Sequence, residues 1–177
     1  LSMVRREVSR MGEVVEEMLG GVPDSVFVGN VDKAAQIREM DDRVDNIYAA
    51  IARYLSKVGR ENLSARNADE AVALATANSE IENIGDIVET HMHHLATVCN
   101  ANSITFAEAD LEILRSYHAK VFVAFKETIV AVEHDRRETA AKVIEAEEDI
   151  VGGMEKLFIE RQAKFMREDH TPEEMAA

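Results

Sequence analysis

Residues 34–58 read Ala-Ala-Gln-Ile-Arg-Glu-Met-Asp-Asp-Arg-Val-Asp-Asn-Ile-Tyr-Ala-Ala-Ile-Ala-Arg-Tyr-Leu-Ser-Lys-Val. Within them Ile37, Met40, Val44, Ile47, Ile51, Tyr54 and Val58 recur at alternating steps of three and four. An α-helix turns once in about 3.6 residues, so these side chains share one narrow face, as in a helix packed into a bundle. Upstream, Val4, Val8, Met11, Val15 and Met18 follow the same rule. Prolines occur only at positions 23 and 172 and there is no tryptophan, while Ala and Glu, both good helix formers, are abundant. The pattern predicts an all-α, antiparallel helix bundle.

Punctuation divides the chain. Gly20-Gly21-Val22-Pro23 is expected to end the first helix, because Gly accepts a left-handed cap and Pro cannot continue the ladder. Gly59 closes the second. Thr105 and Glu108 have capping-box spacing, and Asp135 and Glu138 repeat it. The predicted helices are 2–19, 30–58, 64–98, 106–134 and 136–169. Thr171-Pro172-Glu173-Glu174 then offers a cap residue, Pro at the first helical position and an acid two residues after it. A sixth helix is thus expected to start where the sequence stops. Together with a start at Leu rather than Met, this suggests an excised fragment.

The 177 residues suit a single domain with a sizeable core. Thirty-four acids face twenty bases, a formal net charge of -14. Such a chain repels a nucleic-acid backbone unless a basic patch intervenes. Its only adjacent basic pairs, Arg5–Arg6 and Arg136–Arg137, are too thin for a footprint. Cys99 is the sole cysteine, so no intramolecular disulfide can form, which fits a reducing compartment. No run reaches the roughly 18 apolar residues of a membrane span.

Two acidic segments resemble each other. Ala34, Ile37, Asp41 and Val44 match Ala140, Val143, Glu147 and Ile150 at a constant offset, which suggests duplication of a three-helix unit. Residues 1–100 would form the first unit and 101–177 the second, lacking its last helix. Asp41 and Asp45 stand four apart, so their carboxylates stack on one side of the helix. Oxygen pairs at this spacing suit hard cations or iron, with further ligands from other helices. A solvated acidic face, or pairing with Arg38 and Arg43, is the competing account. Gly85, inside a helix, points to close approach by a neighbouring backbone.

Glu82-Asn83-Ile84-Gly85-Asp86 resembles the Arg-Ile-Gly-Asp signature of PhoU-like domains, and Asp41-Asp42-Arg43-Val44-Asp45 resembles their acid-x-x-x-Asp signature. The two occur in the family's order, and the resemblance extends over nearly the whole chain. It is strongest to the domain that follows the membrane part of sodium/phosphate cotransporter-type proteins. It implies two three-helix bundles, a role in phosphate uptake or its signalling, and metal held at the acidic motifs. Carried over by position, Asp41, Asp45 and Asp86 are the implied ligands of the first half and Glu147 is the second half's counterpart of Asp41. The implied setting is the cytoplasmic face of the membrane. The partner is a phosphate-transport membrane protein, or the membrane portion of the same parent chain. The sequence departs from the family at Asn83, where Arg is expected, and at Val151, where Asp45 predicts an acid. A shifted register offers Glu145 and Asp149 but breaks the apolar alignment. Iron, manganese, magnesium or calcium is expected before zinc, whose sites favour His and Cys.

A ferritin-like dimetal enzyme needs Glu-x-x-His on two helices. The residues three before His91, His93, His94, His118, His134 and His170 are Val88, Thr90, His91, Arg115, Ala131 and Arg167, and none is Glu. His91, His93 and His94 could bind a metal or haem, or simply be solvated. Gly152-Gly153 lacks the Lys-Ser/Thr of a phosphate loop. No nucleophile–base pair is visible, so the expectation is a non-enzymatic regulatory or binding domain. A metal-free helical adaptor is the alternative. If the sixth helix is missing, the second unit exposes an apolar flank, and self-association into a homo-oligomer is expected.

Overall fold

A computed structural model describes residues 1–60 and 63–166. They form six α-helices: α1 (Ser2–Val22), α2 (Val31–Val58), α3 (Ala65–Asp86), α4 (His93–Ala101), α5 (Glu108–His134) and α6 (Arg137–Phe165). Two π-helical segments, Pro23–Phe27 and Ile87–Met92, extend α1 and join α3 to α4. There is no strand among the described residues, so the all-α bundle is correct. No helix among them is long and apolar enough to cross a membrane. The expected helix start at Thr171 lies outside the described residues, as does the end of the last expected helix.

α1 is the axis of the bundle, packed against α2, α3 and α5. Its expected stripe, Val4, Val8, Met11, Val15 and Met18, is buried throughout, and Val14, Leu19 and Val22 are buried with it. A helix with neighbours on several sides needs more than one apolar stripe, and these further residues supply it. In α2 the stripe buries Ile37, Val44 and Ile51, but near its end Leu55 is buried while Tyr54 is 49% exposed. Steps of three and four average less than the true helical turn, so the contact face drifts by one residue over this length. At Gly12 an added methyl would overlap the Ile129 side chain, with Cγ1 at 2.8 Å, so the absent Cβ lets α5 lie close on α1.

The first helix does not stop at its glycines. It continues through Gly20, Gly21 and Pro23, and the run closes only at Gly29, whose φ of +75° is left-handed. Pro23 has no N–H to return to the Leu19 carbonyl. That carbonyl is instead 2.9 Å from His118 Nε2 on α5, which donates to it. A side chain from a distant helix thus replaces the bond that proline removes.

The other ends are mixed. Asn30 and Ser64 cap α2 and α3, accepting from the Lys33 and Asn67 amides at 3.0 and 3.3 Å. Gly59 ends α2 in right-handed geometry. The Thr105 box does not form: α5 begins at Glu108, with Ala107 at its cap. Left-handed Ser103 and the Ile104 amide, bonded to the Cys99 carbonyl at 2.8 Å, make a tight turn after α4. Thr105 falls in the link that follows. The break near His134 is present, but Asp135 ends α5 in a left-handed conformation (φ 53°) instead of capping α6. The Arg136 carbonyl accepts the first α6 bond, from the Ala140 amide.

Helices α1 to α4 hold the first expected unit, and α5 and α6 carry the described part of the second. α6 packs chiefly along α5, and none of residues 137–163 is buried. Ile144, Val151, Met154, Phe158 and Ile159 are all largely exposed, so the expected apolar flank is present.

Candidate metal centre

Asp41 and Asp45 project from one side of α2, one helical turn apart, toward the end of α3. There Asp86 joins them, and one carboxylate oxygen from each of the three lies within 4.8 Å of the others. Asp86 sits away from the main apolar stripe of its helix, which by itself argues against a shared site. Gly85, the residue before it, packs against α2. It is buried, and a methyl there would stand 3.4 Å from Asp41 Oδ1 and Val44 Cγ1 and 3.5 Å from Val15 Cγ2. α3 thus lies against α2 at Gly85, and acids at the edges of the two helices reach each other. The π-helical segment begins at Ile87, directly after Asp86. Such irregularities are frequent at functional sites.

The electrostatics are those of unneutralised acids. Asp41 Oδ1 is buried without a hydrogen-bond partner. Burial first, then the charges of Asp45, Asp86, Glu89 and Asp42, raise the Asp41 carboxyl from 3.8 to about 6. Glu82 is also raised, by burial and then by Asp86 and Asp45. Among the described residues none of the three clustered acids forms an ion pair. Arg38 pairs instead with Glu89 at 3.3 Å, and Arg43 makes no pair among the described residues. The account in which Arg38 and Arg43 neutralise Asp41 and Asp45 therefore fails.

The donor set fits a hard cation. Metal–oxygen bonds of about 2.0–2.6 Å let one ion bridge oxygens up to about 5 Å apart. An orphaned, partly desolvated carboxylate oxygen is the group such an ion would satisfy. Glu82 was legible as a further candidate, since Glu82 and Asp86 repeat the four-residue spacing of Asp41 and Asp45. Glu89 gave no signal, because the π-helical segment displaces it from an ideal wheel.

The other candidates gather no such group. Glu147 is exposed on α6 and does not enter the cluster. Glu145 and Asp149 of the shifted register are exposed as well. His91, His93 and His94 fall at the π–α4 junction and form no cluster of three ligands among the described residues.

The cluster lies inside a recognisable segment: residues 8–91 match the family model of the PhoU domain. Among curated proteins, the chain is 27% identical over 114 residues to YjbB of Salmonella typhimurium, named as a candidate inorganic phosphate export protein. The match covers 64% of this chain and 21% of that protein. The protein of the same name from Escherichia coli K12 is 27% identical over 89 residues, 50% of this chain and 16% of the relative. The chain thus spans about a fifth of the length of the curated relatives it matches. No solved structure matches it significantly. Residues 8–91, just under half of the chain, are thus similar to a PhoU domain and lie in an all-helical architecture.

Proposed function

We propose that this chain is a non-enzymatic accessory domain of phosphate transport or its signalling, and that Asp41, Asp45 and Asp86 hold a cation. The observation that carries the reading is the convergence of three unpaired carboxylates from α2 and α3 within the PhoU-matched segment. Like charges one helical turn apart repel by a few tenths of a kcal/mol even when exposed, and a cation between them reverses the sign. Glu82, whose carboxyl feels the charges of Asp86 and Asp45, would be the next candidate ligand.

The relatives' name supports a link to phosphate movement. On this reading the domain serves a larger phosphate-transporting protein of sodium/phosphate cotransporter type, at the cytoplasmic face of the membrane. The membrane partner is either the rest of the same parent chain or a separate transporter. Glu147 would belong to a second, weaker site if a helix beyond α6 supplied its partners, completing a duplicate of the first unit.

The test is calorimetric titration of iron(II), manganese, magnesium and calcium into the protein, beside Asp41→Asn/Asp45→Asn. One-site heats lost in the variant support the site, and equal heats in both remove it. If metal binds and the same pair of substitutions in the parent protein leaves phosphate flux and its control unchanged, the regulatory role fails while the site stands. A metal-free adaptor is favoured by one observation, the exposed apolar side of α6, which offers a surface for a partner or a second copy. Absence of metal binding, with concentration-dependent sedimentation, would select it.

A further inference from the structure

The two adjacent basic pairs, each too thin for a footprint in the sequence, contribute to one place. Arg5, Arg66, Arg136 and Arg137 all line a crevice of about 750 Å³ between α3 and the α5–α6 hairpin. Its floor is apolar, with Leu74, Ala77, Ala131, Val132, Ala140 and Val143 among its residues. Three acids, Asp69, Glu70 and Asp135, also line it. Arg5 occupies two of them, at 2.7 Å from Glu70 and 3.7 Å from Asp135, and also donates to the Val132 carbonyl at 2.9 Å. Arg66, Arg136 and Arg137 make no ion pair among the described residues, and only Asp69 remains against them.

A cationic spot on a chain of net charge -14 runs against the field of the whole molecule. Its cations also gather at one end. Arg66 lies in the first turn of α3, and Arg136 and Arg137 lie at the start of α6. The apolar floor extends from there along the helices. Guanidinium groups bind phosphate oxygens in two-pronged fashion, and the adjacent helix start adds unpaired amides of the same sign. The volume lies in the range of small-molecule sites, about 300–1,000 Å³. Inorganic phosphate would leave most of it empty.

We propose that this crevice binds a soluble organic phosphate of about nucleotide size. The phosphate sits among Arg66, Arg136 and Arg137, and the organic part lies on the alanine-rich floor. The site is separate from the acidic cluster and does not depend on the metal reading.

The experiment titrates ADP into the whole chain in the presence of EDTA, which keeps the carboxylate cluster free of metal. Saturable binding is expected, weakening with salt. Arg136→Ala/Arg137→Ala should weaken it about tenfold or more, the loss of at least one charged hydrogen bond. Arg53→Ala, an exposed arginine of α2, should leave it unchanged. Ala140→Trp should abolish it by filling the floor. Helical content and melting verify each variant, and Arg66→Ala replaces the double variant if that fails to fold. The proposal is overturned if ADP does not saturate or if the arginine variants bind as well as the parent. It is equally overturned if inorganic phosphate binds as tightly as ADP. Capture by phosphatidylglycerol vesicles without ADP binding would assign the arginines to a membrane surface and also overturn it.

Discussion

Helices α2 and α6 are near twins in length, 28 and 29 residues, and each follows the first helix of its expected unit. Their sequences share an apolar and acidic pattern at a fixed offset. α2 buries Ala34, Ile37, Val44, Ile51 and Leu55 against α1 and α3, whereas none of residues 137–163 of α6 is buried. Periodicity therefore states what a helix is able to bury, and neighbours decide whether it does. The acids diverge for the same reason. Asp41 is pressed into a crowded interface, while its counterpart Glu147 stands in solvent.

The sharpest way to break this contrast is to cut both helical systems with one scalpel. Met11 on α1 is fully buried, and Phe158 on α6 is 63% exposed. Met11→Ala should cost about 2–5 kcal/mol. Phe158→Ala should stay within about 0.5 kcal/mol. Denaturant unfolding measures both, and similar losses would mean that α6 is covered in solution.

Glycines extend the contrast to a change of sign. Gly12→Ala forces a methyl onto Ile129 and should destabilise by about 1–3 kcal/mol. Gly152 has nothing within 4 Å of an added methyl. There the better helix propensity of alanine should stabilise by up to about 1 kcal/mol. Thermal melts that move the same way for both variants would refute the difference in packing.

The crowding of Asp41 makes stability depend on pH. Asp41 titrates at about 6 in the fold against 3.8 as a free group, so between those values the folded chain holds a proton that the unfolded chain releases. Its contribution is present below the lower value and lost as pH rises through the upper one. Metal-free protein should lose stability over that window, and Asp41→Asn should flatten the loss. Excess of a binding cation should cancel the loss at the upper end, because the ion stabilises the ionised acids.

The smallest effect is expected at the α5–α6 seam. Arg161 pairs with Asp110 there, both side chains partly exposed, and Arg161→Ala should cost no more than about 1 kcal/mol. A larger loss in a urea titration would show that the hairpin relies on polar contacts.

Much of this was legible in the residues. The stripes of α1 and α2, the absence of strands, the break before α6 and the stacking of Asp41 on Asp45 all follow from local spacing. The misreadings arose where a distant element supplied what local rules assume. Pro23 ends a helix only if no other group satisfies the Leu19 carbonyl, and the donor comes from α5. Asp86 lies off its own stripe and enters the site because α3 packs against α2 at the neighbouring Gly85. Thr105 has the right spacing for a cap, but the turn after α4 fixes where the next helix begins. The π-helical segment between Asp86 and His93 leaves no mark on composition or spacing.

The bond from His118 to the Leu19 carbonyl also bears on how related sequences should be compared. Proline at 23 creates a vacancy that histidine at 118 fills, so the two positions form one heritable unit. A relative that regains an ordinary residue at 23 recovers the missing amide and releases 118 from its duty. A relative that keeps the proline and loses the histidine must recruit another donor or shorten its first helix. The two sites should therefore covary across the lineage, and the effects of replacing them should not add.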